Sequence, residues 1–249
     1  MIIKEKSYQK IITFWILSTI SLIFFMIIVG GLTRLTNSGL SITEWELFQG
    51  ILPPLNIDDW NNYFYLYKQI PQYEFINKDM TLSEFKVIFY WEYFHRLLGR
   101  LIGIFFLIPL IYFSYKKIFT QKTLKVFYFV FLLILLQGLI GWYMVQSGLV
   151  NDITVSHYRL SLHLFGAFLI ISILFWQYLN LKNLTIKLFF NKENLILKLL
   201  FLMILIQICL GAFVSGLDAG LIYQTWPKMN SSFFPDDIIF KNYNLISIF

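Results

Sequence analysis

The sequence predicts an all-α polytopic membrane helix bundle, and three observations carry that prediction. Hydrophobic residues make up 58% of the chain and charged residues 14%, against about 25% charged in a typical soluble domain. Mean hydropathy is +0.67. Apolar runs recur over residues 11–30, 88–113, 126–146, 158–179 and 197–215, each near the roughly 20 residues of helix that cross a hydrocarbon core about 30 Å thick. The net charge of +6 does not point to nucleic acid, because the lysines gather in short loops between apolar runs, the pattern of a membrane protein. Cys209 is the single cysteine, which excludes an internal disulfide and a paired-cysteine metal site. It reads as a small apolar core side chain.

Met1–Lys10 is a short basic lead-in to the first run. Gly30-Gly31-Leu32-Thr33-Arg34 follows that run where a secreted protein would carry a small-residue cleavage site, so the run reads as a retained anchor. The lysines set the orientation. Lys4, Lys6 and Lys10 precede the first run, Lys116, Lys117, Lys122 and Lys125 lie between the second and third, and Lys182, Lys187, Lys192 and Lys198 between the fourth and fifth. The 31–87 segment instead carries Glu44, Glu46, Asp58, Asp59, Glu74, Asp79 and Glu84. By the positive-inside rule the N-terminus is cytoplasmic and 31–87 faces outward. Its aromatic residues and prolines predict a lid folded over the membrane surface.

An internal repeat organises the chain. Gly30, Gly39, Leu40 and Trp45 fall without a gap on Gly211, Gly220, Leu221 and Trp226, and Asn37 falls on Asp218. Both segments follow an apolar run, so the chain reads as two related units, a common plan in membrane folds. Residues 1–183 form a four-helix N-terminal half with outer loop 31–87. Residues 184–249 form an incomplete second half of one helix plus an outer segment. A repeated four-helix unit predicts eight helices where five are present, and the expectation is a shortened chain.

Ionisable residues inside a membrane span default to functional candidates. The densest cluster is Trp91-Glu92-Tyr93-Phe94-His95-Arg96-Leu97-Leu98-Gly99-Arg100. On a helix Glu92, His95 and Gly99 share one face, and Arg96 is one turn from both Glu92 and Arg100. Gly99 and Gly103 leave room for close approach by a helix or a flat ligand. The fourth run opens Ser156-His157-Tyr158-Arg159-Leu160-Ser161-Leu162-His163. His95 and His163 sit at matched depth on different helices, suited to ligating one haem iron from both sides. Arg96, Arg100 and Arg159 are the candidate partners of the propionates. Glu92 has two readings, a packing ion pair with Arg96 or a group acting on a substrate beside the iron, as proton carrier or charge stabiliser. His157 reads as an interfacial residue, and Gln137 and Gln207 as polar links between helices.

These residues, with GGLTRLTNSGLSITEW, WEYFHRLLGRLIG, SHYRLSLHL and GAFVSGLDAGLIYQTWPKMN, resemble the haem A synthase family of the proteobacterial and mitochondrial type, along nearly the whole chain. The resemblance implies an eight-helix protein of two four-helix halves that oxidises a methyl group of haem O to formyl, giving haem A for terminal oxidases. It implies His95 and His163 as axial ligands of the substrate haem and Glu92 as the residue needed for oxidation. It also implies a haem b in the C-terminal half, for which no matching histidines are present. The expected partners are haem O, the lipid bilayer, haem O synthase, an electron donor and a second copy of the chain as a homo-oligomer; no nucleic acid is expected. The expected location is the bacterial inner membrane. The alternative is a non-catalytic haem-binding or electron-transfer membrane protein, to which a carboxylate beside the ring would not matter.

Overall fold

The computed structural model describes residues 6–44, 49–151, 153–182 and 195–233. Among the described residues five helices are long and apolar enough to cross a membrane: α1 (Gln9–Leu35), α4 (Leu82–Tyr115), α5 (Gln121–Asn151), α6 (His157–Leu181) and α7 (Leu195–Gly216). Each contains one of the five apolar runs, as expected of an all-α membrane bundle. Three short α-helices, α2 (Ile57–Tyr67), α3 (Pro71–Phe75) and α8 (Ala219–Ile222), and 3-10 turns at Lys6–Tyr8 and Gln49–Ile51 complete the described structure. Lys4, Glu46, Lys187, Lys192, Trp45 of the repeat and the segment ending at Phe249 lie outside the described residues.

Packing places the helices in a ring. α1 packs against α4 and α6, and α5 packs against α4 and α6. α4 and α6, which carry the two candidate histidines, therefore stand on a diagonal with α1 and α5 between them. α7 packs on α6 from outside that ring.

Helix α4 ties the membrane part to the lid. Its 34 residues span about 51 Å at 1.5 Å per residue, well beyond the hydrocarbon thickness. Thr81 starts it with a capping box: its hydroxyl accepts from the Glu84 amide, and the Glu84 carboxylate accepts from the Thr81 amide at 2.8 Å, which satisfies end donors that have no intrahelical partner. The first turns place Phe85, Ile88, Phe89 and Tyr93 in a core with Trp60, Phe64, Tyr67 and Ile70 of the lid. Farther along, Ile102, Phe106, Leu110 and Phe113 join a second core with Trp15, Ile16, Phe127 and Leu174, where Trp15 stacks on Phe106 at 4.8 Å between ring centroids. Glu92, His95 and Arg96 fall between these two cores.

The described residues of the 31–87 segment, the expected lid, pack onto α4 and α5. Asn56 caps α2 by accepting from the Asp59 amide at 2.7 Å, and Pro71 opens α3, where its missing N–H costs nothing. α2 lies on α4 and α3 on α5. A buried polar chain holds the two together: Asn77 donates to the Tyr67 hydroxyl at 2.7 Å, and Tyr67 donates to Gln72 Oε1 at 3.0 Å. Gln72 Nε2 donates onward to the Asn37 carbonyl at 3.2 Å, at the end of α1.

The repeated segments end their helices in the same way. Leu35 and Gly216, the last residues of α1 and α7, are 181 positions apart, the same offset as Gly30 and Gly211. Thr36 donates to the Leu32 carbonyl at 3.0 Å, and its counterpart Leu217 donates to the Phe213 carbonyl at 2.9 Å. Asn37 and Asp218 both adopt the left-handed conformation, with φ of 51° and 52°, which short polar side chains tolerate best after glycine.

Candidate functional site

Glu92 is 2% exposed and every bond it makes is accounted for. Oε1 accepts from Arg96 Nε at 3.0 Å and Arg96 Nη2 at 2.5 Å. Oε2 accepts from the Ser41 hydroxyl at 2.7 Å and the Ile42 amide at 2.9 Å. The i,i+4 spacing on α4 predicted the first partner. The second pair comes from the chain after α1 and was not legible, because it depends on where 38–44 folds back. Arg96 also donates to the Ile42 carbonyl at 2.9 Å, so carboxylate and guanidinium together hold this segment against α4. An isolated buried carboxylate is very costly. Paired and hydrogen-bonded on both oxygens, it is tolerated.

His95 is half-buried one turn along from Glu92. It lies against α1 at Gly30, where an added methyl group would sit 3.1 Å from Nε2. His163, half-buried on α6, lies against α5 at Gly141, where an added methyl group would sit 3.6 Å from Cε1. His163 Nδ1 is buried with no hydrogen-bond partner. Each histidine of the diagonal thus leans on a glycine of an intervening helix, and Gly103 and Gly138 have nothing within 4 Å of an added methyl group. Two imidazoles, small residues on the flanking helices and an unsatisfied ring nitrogen suit a flat, iron-centred ligand.

The three arginines are placed differently. Arg96 and Arg100 line a small cavity with Ile42, Glu44, Leu52, Tyr63, Phe89 and Tyr93, and Tyr93 donates to the Ile51 carbonyl at 2.7 Å. Arg159 turns to α5, donating to the Ser147 hydroxyl and stacking 4.6 Å from the Tyr143 ring. His157 packs on Tyr158 and Phe213. Gln137 packs against Gly166 of α6 with its Oε1 buried and without a hydrogen-bond partner, and Gln207 lies on the exposed face of α7. The thiol-bearing Cys209 is half-buried, and its carbonyl accepts from Ser161 at 3.3 Å. Sequence reasoning missed Ser41, Gly30 and Gly141. Gly30 and Ser41 lie in the first repeated segment, which was the available signal, and nothing local marked Gly141.

The five long apolar helices define a multi-pass membrane bundle, with a histidine pair on two helices across its diagonal. The chain belongs to the cytochrome oxidase assembly protein family, whose sequence model matches residues 13–246. It is 54% identical over 242 residues to the heme A synthase of Pelagibacter ubique, a match covering 96% of this chain and 70% of that one. It is 48% identical over 236 residues to the heme A synthase of Rickettsia bellii, covering 92% and 70%. The heme A synthase of Parvibaculum lavamentivorans is 44% identical over 242 residues, covering 94% and 68%. No solved structure matches the chain.

Proposed function

We propose that this chain is a haem A synthase, an oxidoreductase that oxidises a ring methyl group of haem O to formyl and so supplies haem A for oxidase assembly. The observation that carries the site is the diagonal pair of His95 and His163, each set against a glycine of the helix between them. In this reading the two imidazoles hold the substrate iron, and the ring lies between α4 and α6. The farnesyl tail of haem O passes into lipid, where its transfer from water is favourable. The bound iron supplies the means of activating an oxidant at the methyl group, and an external donor or acceptor completes the electron balance.

The chain's own residues set the surroundings of that reaction. Glu92 keeps a carboxylate one turn from His95, where it accepts a proton or offsets positive charge developing at the methyl group. Arg96 and the Ser41 hydroxyl hold it in place. Arg96 and Arg100, beside Glu44 at a small cavity, and Arg159 on α6 are the candidate partners of the propionates. The repeated helix ends support two related units, with 1–183 as the first and 184–249 as the start of the second. The lysine pattern supports an inner-membrane protein with a cytoplasmic N-terminus. Haem O synthase, as the source of the substrate, is the expected neighbour, and a homo-oligomer is the expected assembly.

The test is product formation with Glu92→Gln. The full chain is purified after co-expression with a haem O source, and its haem is extracted and separated by chromatography. The proposal expects haem A from the parent and haem O with little haem A from the variant. Equal haem A from both at equal haem content overturns the role of Glu92. Haem O alone from the parent favours a binding protein over an enzyme.

A further inference from the structure

Arg34 occupies the corner where the two repeated segments meet. Its Nη1 donates to Asn37 Oδ1 at 3.2 Å. Its Nη2 donates to Asp218 Oδ1 at 2.9 Å, to the Ser215 carbonyl at 3.0 Å and to the Gly216 carbonyl at 3.3 Å. Asn37 and Asp218 are equivalent positions of the repeat, and Ser215 is the counterpart of Arg34 itself, 181 residues on. Arg34 thus reaches the position equivalent to its own, at the end of α7. The two segments differ at this spot in a complementary way: the first supplies the guanidinium, and the second supplies a carboxylate where the first has an amide.

The last carbonyls of a helix have no intrahelical partner, and a cation there is favourable. Arg34 fills that role for α7 while standing at the end of α1. The Arg34 side chain is 12% exposed and the Asp218 side chain 50%. Exposed ion pairs contribute little, and the part-buried bond to the Gly216 carbonyl is the less solvent-screened of the three on Nη2. The same stretch of α1 touches the candidate haem site. Gly30, one turn before Arg34, lies against His95 Nε2, and Thr33 donates to the Trp91 carbonyl of α4 at 3.4 Å.

We propose that Arg34 is a positioning residue: it fastens the end of α7 to the end of α1 and thereby fixes α1 against His95. The second half of this statement rests on the reading of His95 as a haem ligand.

The experiment compares the full chain, purified with its haem, with Arg34→Gln, Arg34→Lys and Asp218→Asn. Hydrogen exchange is followed in the peptides around 30–38 and 213–218, and the low-spin ferric haem signal by electron paramagnetic resonance. Arg34→Gln is expected to speed exchange roughly tenfold in both peptides together and to shift the haem signal. Asp218→Asn is expected to act more weakly and mainly on 213–218, and Arg34→Lys to fall between. Unchanged exchange at 213–218 in Arg34→Gln overturns the fastening. Faster exchange with an unmoved haem signal overturns the positioning. If Arg34→Gln does not accumulate, Arg34→Lys and Asp218→Asn decide on the same criteria. His95→Ala retaining the parent haem signal would remove the ligand reading separately, leaving the exchange result to judge the fastening.

Discussion

Arg96 holds Glu92 through two donors of one guanidinium, Nε at 3.0 Å and Nη2 at 2.5 Å, and the pair lies at the seam between the membrane core and the lid core. Its position makes it a fastener as well as a candidate for chemistry. The carboxylate reaches the Ser41 hydroxyl and the guanidinium reaches the Ile42 carbonyl, so two charges on α4 secure a strand of chain that has no regular structure of its own.

Removing one partner of this pair leaves the other charge buried and alone, a change that costs roughly 3–5 kcal/mol. Arg96→Met is expected to lower thermal stability in detergent strongly. Ser41→Ala, which removes one hydrogen bond to a charged group, should cost about 1.5–3 kcal/mol. Thermal unfolding of the purified variants checks the order. Equal stability of Arg96→Met and the parent would remove the pair's structural role.

The contact between Gly30 and His95 predicts a contrast between neighbouring glycines. Gly30→Ala places a methyl group 3.1 Å from Nε2 and must displace the imidazole, while Gly31→Ala meets nothing within 4 Å. Haem content and the ferric absorption spectrum should change in the first and hold in the second. The same spectrum in both would mean that α1 does not border the haem site.

Gly216→Ala sets its methyl group 2.6 Å from His157 Cβ and 2.9 Å from His157 Cα. Because backbone cannot rotate away, overpacking of about 1–3 kcal/mol is expected between α6 and α7. Gly211→Ala, with open space around it, should be neutral. Comparing the unfolding temperatures of the two variants tests the crossing of these helices.

The lid has its own pH dependence. Burial pushes the Tyr67 phenol above its ordinary value of 10.0, partly offset by the hydrogen bond from Asn77. A raised folded-state value means that this tyrosine's contribution is fully present below pH 10 and is lost as the pH climbs toward the folded value. Tyr67→Phe should remove that loss, although it weakens the lid at neutral pH by leaving Gln72 and Asn77 short of a partner. Proteolysis of the lid between pH 8 and 11 (on the order of the phenol range) checks this: an alkaline rise that persists in Tyr67→Phe contradicts it.

The five spans were legible because hydropathy and length are local properties. The helices run past the apolar stretches where side-chain character changes but helical bonding continues: α4 begins at Leu82, six residues before the run at 88, because its first turns serve the lid core. The link between Glu92 and Arg96 was legible from spacing. The bonds from Ser41 and Ile42 to Glu92, and the approach of Gly30 to His95, arise from tertiary packing and leave no periodic trace. The repeat announced Asn37 and Asp218 as equivalents, but not that one arginine would bridge them.

The central claim is that His95 and His163 hold the substrate haem on the diagonal of the bundle. The most direct measurement is the haem bound by the purified chain, and its type, for the parent, His95→Ala and His163→Ala after co-expression with a haem O source. The account predicts haem O or haem A in the parent, with a low-spin ferric signal of two imidazole ligands, and loss of that signal in either variant. Retention of the parent's haem and its low-spin signal in both variants would contradict it.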